Sequence, residues 1–285
     1  MTRRYWWGEI GKDGTCTPAP VDGAAALARL ATLETPMESW VPAPWEATAA
    51  CGGFADRAEY LARLHRLAAR LAAAGVADAL QRPDIELARM VRALDGLDEA
   101  INLLTERAVE WHATRDPGFT RKFSSMPARR LVPLLAVRAK GPLRALLAEI
   151  EALAASRAAL AKDVTRAANR VLPNCSALVG GLVAARLLAA AGSLDALARL
   201  PGSGIQVLGA RTALFSHIRS GTPPPKHGLV FQHRRVHNAP PGRRGRVARV
   251  LASRLAIAAR IDRFRGEADA VFIEVANARI DGVLE

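Results

Sequence analysis

The sequence predicts a mainly α-helical protein: a small α/β domain over residues 1–80, a long antiparallel helical hairpin over 81–171, and an all-α domain over 172–285. Three observations carry this prediction. Apolar residues recur at three- and four-residue steps from about residue 55 onward. The strand-like segments and four of the five tryptophans lie before that point. The positive charge is concentrated late in the chain, away from the helical seams of its middle. With 285 residues, 50% of them hydrophobic and 24% charged, the chain has material for one or two ordinary cores and is not a disordered polymer.

In chain order, Tyr5 to Ile10 reads as a short strand, Gly11-Lys12-Asp13-Gly14 as a turn, and Val21 to Leu33 as a short helix begun by Asp22. Pro36, Pro42 and Pro44, around Trp40 and Trp45, interrupt any longer element. The tryptophans serve either as the core of this unit or, for one or two of them, as a partner-binding surface. Ala58, Leu61, Leu64, Leu67, Ala68 and Leu71 then form one helical stripe, which Gly75 is expected to end.

A longer helix starts at Pro83 and carries Leu87, Val91, Leu94, Leu97, Ile101, Leu104, Ala108 and Trp111 in heptad-like steps, with Asp116-Pro117-Gly118 as its stop. A second seam, Leu143, Leu146, Ile150, Leu153, Arg157, Leu160, Val164 and Ala167, runs between Gly141-Pro142 and Pro173, with Arg157 as its one imperfection. Two antiparallel helices joined by a hairpin near Lys140 form either a coiled coil or part of an ordinary bundle; periodicity alone leaves both open. Beyond Asn174, an apolar helix over Ala177 to Ala190 ends at Gly192, Pro201 to Gly204 is a turn, Arg211 to Ile218 a short helix, and Ser220 to Pro225 a proline-rich loop. Pro240-Pro241 introduces a long basic helix carrying Arg243, Arg244, Arg246, Arg249, Arg254 and Arg260, with Val247, Val250, Leu251, Leu255, Ile257, Ala258 and Ile261 as its apolar face.

The net charge of +13 is local. Between Arg199 and Arg265 stand 13 arginines and Lys226 against the single acid Asp262, while the remaining chain holds 26 basic and 26 acidic residues. One segment therefore requires an anionic partner. Several other readings fail on chemistry. The apolar run from Leu178 to Ala191 is broken by Arg186 and falls short of the roughly 20 residues a bilayer requires, and no signal-peptide pattern opens the chain, so a soluble intracellular protein without a membrane partner is expected. Cys16, Cys51 and Cys175 fit neither a disulfide framework nor a metal knuckle. His217, His227, His233 and His237 match no metal-ligand spacing and sit where positive charge repels a dication. No nucleophile and base pair stands out, so the chain is not expected to be an enzyme or to hold a cofactor.

What remains is a loop in which His227, Phe231, Gln232, His233 and His237 alternate with Lys226, Arg234 and Arg235. Rings stack on unpaired bases, glutamine hydrogen-bonds a base edge, and cations hold phosphates, which points to RNA or single strands over duplex DNA. The bland alternative is that His227 and His233 only cap or pack the loop.

These residues also carry a resemblance. Leu172-Pro173-Asn174, Ala191-Gly192-Ser193-Leu194, Ile205-Gln206-Val207-Leu208-Gly209-Ala210, Ala213-Leu214-Phe215, Pro225-Lys226-His227-Gly228, Phe231-Gln232-His233, Arg244-Gly245-Arg246-Val247-Ala248-Arg249 and Ile257-Ala258-Ala259-Arg260-Ile261-Asp262 follow one another in the order of a NOP domain. Upstream, Ile101 to Arg107, Glu110-Trp111 and Ser125-Met126 resemble the family's first coiled-coil helix and hinge, while the first 80 residues match in outline. The chain resembles the archaeal NOP-family core protein of box C/D ribonucleoproteins. That resemblance implies an N-terminal domain binding fibrillarin, a coiled coil for self-association, and a NOP domain gripping box C/D guide RNA with a kink-turn-binding protein of the ribosomal type. It implies a non-catalytic scaffold for guided ribose 2′-O-methylation of rRNA or tRNA, with S-adenosylmethionine held by fibrillarin rather than by this chain. The RNA-facing positions it implies are Arg211, Thr212, Lys226, His227, Gln232, His233, Arg235, Arg244, Arg246 and Arg249. Where the family has Glu-Lys after Gly209-Ala210, this chain has Arg211-Thr212, and it lacks the Lys/Glu-rich tail of the nucleolar relatives, which favours an archaeal cytoplasmic protein. The alternatives are a spliceosomal relative that binds a kink-turn small nuclear RNA without fibrillarin, or a generic basic single-strand RNA-binding module.

Overall fold

A computed structural model describes residues 3–11, 13–33, 45–119 and 126–283. Lys12, the segment holding Pro36, Trp40, Pro42 and Pro44, and Ser125 lie outside the described residues. Contacts divide the chain into two compact units, Met1–Gln81 and Arg82–Glu285.

The first unit opens on a three-stranded antiparallel sheet, β1 (Arg3–Tyr5), β2 (Gly8–Ile10) and β3 (Cys16–Pro18), in that order. The single strand expected over Tyr5 to Ile10 is instead a hairpin: Tyr5 pairs with Gly8, and Trp6-Trp7 form its two-residue turn. Burial explains the fold-back, because both indoles turn inward, Trp7 stacking on Tyr5 and Trp6 packing on Phe54 and Tyr60. Gly8 is required where β3 crosses closely; a Cβ there meets the Thr17 carbonyl at 2.7 Å. Helices α1 (Gly23–Thr32), α2 (Trp45–Gly52) and α3 (Arg57–Gln81) complete the unit. Asp22 stands at the N-cap of α1, but its carboxylate faces Arg63 and caps nothing.

Two further expectations do not hold in the structure. Cys16 and Cys51 form a disulfide between β3 and α2, their Cα atoms 5.8 Å apart, a proximity that sequence spacing does not reveal. Gly75 does not end α3, which runs on to Gln81; Gly75 is exposed, and the helix-favouring alanines beside it offset its cost of about 1 kcal/mol. Of the predicted stripe, Leu67 is fully buried while Leu61 is exposed.

The second unit begins with α4 (Pro83–Ala113), started by its first-turn proline as the sequence predicts. After a helical turn at 117–119, α5 (Ala128–Arg138) leads to α6 (Pro142–Val171), which packs along α4. The two are antiparallel: Leu87, Val91 and Leu94 share a core with Val164 and Ala168 at one end, while Ala108 meets Leu143, Leu147 and Ile150 at the other. The connection is the helix α5, not a tight hairpin near Lys140, and Leu131, Val132 and Leu135 of α5 fill the distal core. Between the two cores Leu153 and Leu160 are half-buried, and Arg157 crosses to Asp98 in a two-point pair at 2.8 and 2.9 Å. That pair explains the irregular seam position. The seam also ends differently, with His112 buried and Trp111 38% exposed.

The helices α7 (Pro173–Val179), α9 (Leu194–Arg199) and α10 (Gly202–Val207) pack on α13 (Arg244–Phe264), while α8 (Gly181–Ala191) packs on α4 and α6, and all share one apolar core with the base of the hairpin. Helix α13 is amphipathic with a wide apolar face, and a stripe through Arg246, Arg249, Ser253, Ile257 and Arg260 is exposed. Val247, Ala248, Leu251, Ala252, Leu255, Ala256, Ala258 and Ala259 are all buried, because its many alanines let neighbours approach from several directions, while Ile257 of the predicted apolar face is exposed. The C-terminal helix α14 (Ala270–Asp281) packs on α7 and α13. No described helix is long and apolar enough to cross a membrane.

Candidate nucleic-acid interface

The loop that the sequence singled out is anchored by backbone. After α10 the chain turns at Gly209, enters α11 (Arg211–Ser220), and returns through Pro225-Lys226-His227-Gly228 to a 3-10 turn over Leu229–Gln232 and the short α12 (Arg234–His237). The Gly228 N–H donates to the Gln206 carbonyl at 2.7 Å, and the Leu229 N–H to the Leu208 carbonyl at 2.8 Å. Only glycine fits at 228, since a Cβ would run into the Leu208 carbonyl. The Gln206 side-chain amide donates to the Lys226 carbonyl at 2.7 Å, fixing the backbone that carries the lysine.

On this frame the aromatic residues pack on one another. The His227 ring stacks on Phe231 at 4.4 Å and 12°, His237 tilts against the same ring at 5.0 Å, and the Arg244 guanidinium lies 5.5 Å from its centroid. Arg244 is held there by donating to the Ala239 carbonyl at 2.9 Å. Phe231 is thus the centre of a small stack, with His227 and His237 on its flanks. Burial, then the Arg244 charge, lowers the His227 pKa, so its ring is a neutral stacking and hydrogen-bonding group at neutral pH. His233 turns inward: its Nδ1 is buried without a hydrogen-bond partner, and burial followed by Arg235 and Arg234 lowers its pKa.

The predicted cations separate into two groups. Lys226, Arg211, Arg246 and Arg249 are exposed, as is Thr212 at the start of α11. Lys226 lies over Gly245 in the first turn of α13, beside Arg244 and Arg246. Arg235 instead turns to α14, with its Nε and one terminal nitrogen on Asp281 at 2.8 Å and the other on Asn277 at 2.6 Å. Gln232 is exposed, yet its Oε1 accepts from Arg186 of α8 at 2.7 Å. So Lys226, His227, Phe231 and Arg244 come together, whereas His233 and Arg235 are bound into the protein. Sequence reasoning missed Gln206 and Arg186. Each is a polar residue inside an apolar run, which is the pattern that singles them out.

Among the described residues no cluster of His, Cys, Asp and Glu is arranged to hold a metal ion. The fold and this surface define a class: a helical hairpin merged into an all-α domain that presents a rigid, basic, ring-bearing loop. A family model described as "snoRNA binding domain, fibrillarin" matches residues 139–281, half of the chain, and the chain belongs to this Nop family. An uncharacterized NOP5 family protein of Methanocaldococcus jannaschii is 30% identical over 268 residues, covering 81% of this chain and 65% of the relative. Nucleolar protein 58 of Scheffersomyces stipitis is 31% identical over 222 residues, covering 65% of this chain and 43% of the relative. The chain thus spans less than two thirds of the length of these curated relatives. In the crystal structure of a fibrillarin/NOP5P complex, one chain matches with a TM-score of 0.55 and 28% identity, over 99% of this chain and 100% of that one.

Proposed function

We propose that the chain is the scaffold subunit of a box C/D guide ribonucleoprotein, joining fibrillarin to guide RNA so that a ribose 2′-hydroxyl of the target meets the methyl donor. The observation that carries the reading is the loop Lys226–Gln232, pinned by Gln206 and stacked on Phe231, with exposed cations around it in a Nop-family domain. A rigid loop of this kind binds RNA at low ordering cost. The chain contributes position and not chemistry, which is the entropic part of catalysis; S-adenosylmethionine belongs to fibrillarin, and this chain carries no cofactor of its own.

The likeness to a chain of the fibrillarin/NOP5P complex supports fibrillarin as partner, and we assign that contact to the N-terminal unit. Helix α11 has no buried residue and exposes Phe215 (72%) and Ile218 (73%), a surface suited to the kink-turn-binding protein. Self-association is assigned to the hairpin, where Leu103, Leu134 and Val137 are exposed. The place of action is the cytoplasm of an archaeal-type cell. Gel shifts with a box C/D RNA preloaded with the kink-turn protein test this reading: a supershift by this chain, and a further one on adding fibrillarin, are expected. Absence of the first overturns the RNA-scaffold reading, and absence of the second alone redirects it to the spliceosomal branch.

A further inference from the structure

Beside the loop lies a cleft of about 390 Å³ between α4, α8 and the 3-10 turn. This is within the usual range of small-molecule sites, about 300–1,000 Å³. Val91, Ala189, Ala190 and Leu229 give it an aliphatic wall, with Arg92 and Asp95 at its edge. Gln232 and Arg186 also line it. Arginine can only donate, so Gln232 must turn its Oε1 to Arg186, as observed at 2.7 Å, and both hydrogens of its Nε2 are left over. Arg186 cannot drift, because its other terminal nitrogen is 3.3 Å from Asp95 and 3.8 Å from Asp98, which is itself locked to Arg157. With two carboxylates beside it, Arg186 has its charge offset and is poorly suited to a phosphate.

We propose that this cleft receives a single unpaired nucleobase of the bound RNA, and that Arg186 is the positioning residue that directs the amide donors of Gln232 to an acceptor on that base. The inference rests on the RNA-binding reading. A flat base fits aliphatic walls, every base edge carries a carbonyl or ring-nitrogen acceptor, and single-stranded bases are the ones proteins read at their edges. The carboxylate of Asp95, half-exposed in the same cleft, is available to a base N–H.

The test measures affinity of the full chain for a box C/D RNA preloaded with the kink-turn protein. Ala190→Leu fills the cleft and removes no charge; about a tenfold loss with unchanged salt dependence is expected. Gln232→Met, an exposed uncharged replacement that does not threaten folding, is expected to lose about as much. Arg186→Ala combined with Gln232→Met is expected to lose no more than Gln232→Met alone, because Arg186 acts through that amide, and Arg186→Lys should recover part of the loss caused by Arg186→Ala. Wild-type binding by both Ala190→Leu and Gln232→Met, while Lys226→Ala weakens binding, overturns the cleft and leaves the interface standing. Additive losses for Arg186 and Gln232 overturn the positioning role. If Lys226→Ala also binds like wild type, the interface reading fails and takes the cleft with it.

Discussion

At the residue scale the C-terminal domain is tied together by one buried carboxylate. Asp262 of α13 accepts from the backbone N–H groups of Asn174 and Cys175 at 2.8 and 3.0 Å and from the Asn174 amide at 2.8 Å. The first turn of α7 has donors without helical partners, and a side chain 88 residues further on supplies them. Asn174 continues the link, donating to the Glu267 carbonyl and accepting from the Asp269 N–H. Asp262→Ala strands these buried donors, so a loss of about 2–4 kcal/mol is expected, read as a fall in melting temperature of roughly 5–10 °C. Cys175, fully buried, has its thiol pushed up by burial first and by Asp262 second, and should resist alkylation in the native protein.

His233 gives a pH signature. Its folded pKa lies below the ordinary 6.5, so the unfolded chain takes up the proton first as pH falls. The stability this neutral ring contributes is present above pH 6.5 and is lost as pH falls through the folded value. The melting temperature should therefore drop as pH falls below about 6.5, and His233→Gln should make that drop shallower. An unchanged slope for the variant would show that other groups set the pH dependence.

At the scale of elements, what was legible in the sequence was what burial dictates locally. The prolines at 83 and 142 start α4 and α6, and the seams through Leu87, Val91 and Leu94 and through Leu143, Ile150 and Val164 pack as their spacing predicts. Departures occur where a distant partner decides. Arg157 is tolerated on its seam by Asp98, Cys16 reaches Cys51 across the sheet edge, and the fold-back at Trp6-Trp7 depends on Phe54 and Tyr60. In the candidate site, Lys226, His227 and Arg246 stand out by type and motif. The commitment of Arg235 to Asp281 and of Gln232 to Arg186 was hidden, because both partners are far away in sequence.

Helix α11 provides the test at this scale. A helix with no buried residue contributes little to the core, so its apolar exposure is not explained by folding. Phe215→Asp with Ile218→Asp should shift stability by no more than about 0.5 kcal/mol per site, as for other surface changes. The same pair should abolish addition of the chain to the RNA preloaded with kink-turn protein. A large loss of melting temperature would instead make α11 a structural element.

For the whole molecule, the charge of +13 carried by the segment Arg199 to Arg265 is an upper bound on what RNA meets. Arg235, Arg263 and Arg265 are paired with Asp281, Asp195 and Asp269, acids that lie outside the basic segment in sequence but beside it in space. Arg244 and Arg260 are held on the carbonyls of Ala239 and Ala198. Three of the segment's 14 cations are thus offset by acids, and the exposed remainder includes Arg211, Arg219, Lys226, Arg234, Arg246 and Arg249. Counterion release makes this measurable: each phosphate contact contributes about 0.7–0.9 to the slope of log affinity against log salt. Replacing Lys226, Arg246 and Arg249 by alanine together should lower that slope by about 2, whereas Arg263→Ala, whose charge is already matched by Asp195, should leave it within about 0.3 of wild type. Equal slopes for the two variants would mean that the field of the whole basic segment, not a local set of contacts, holds the RNA.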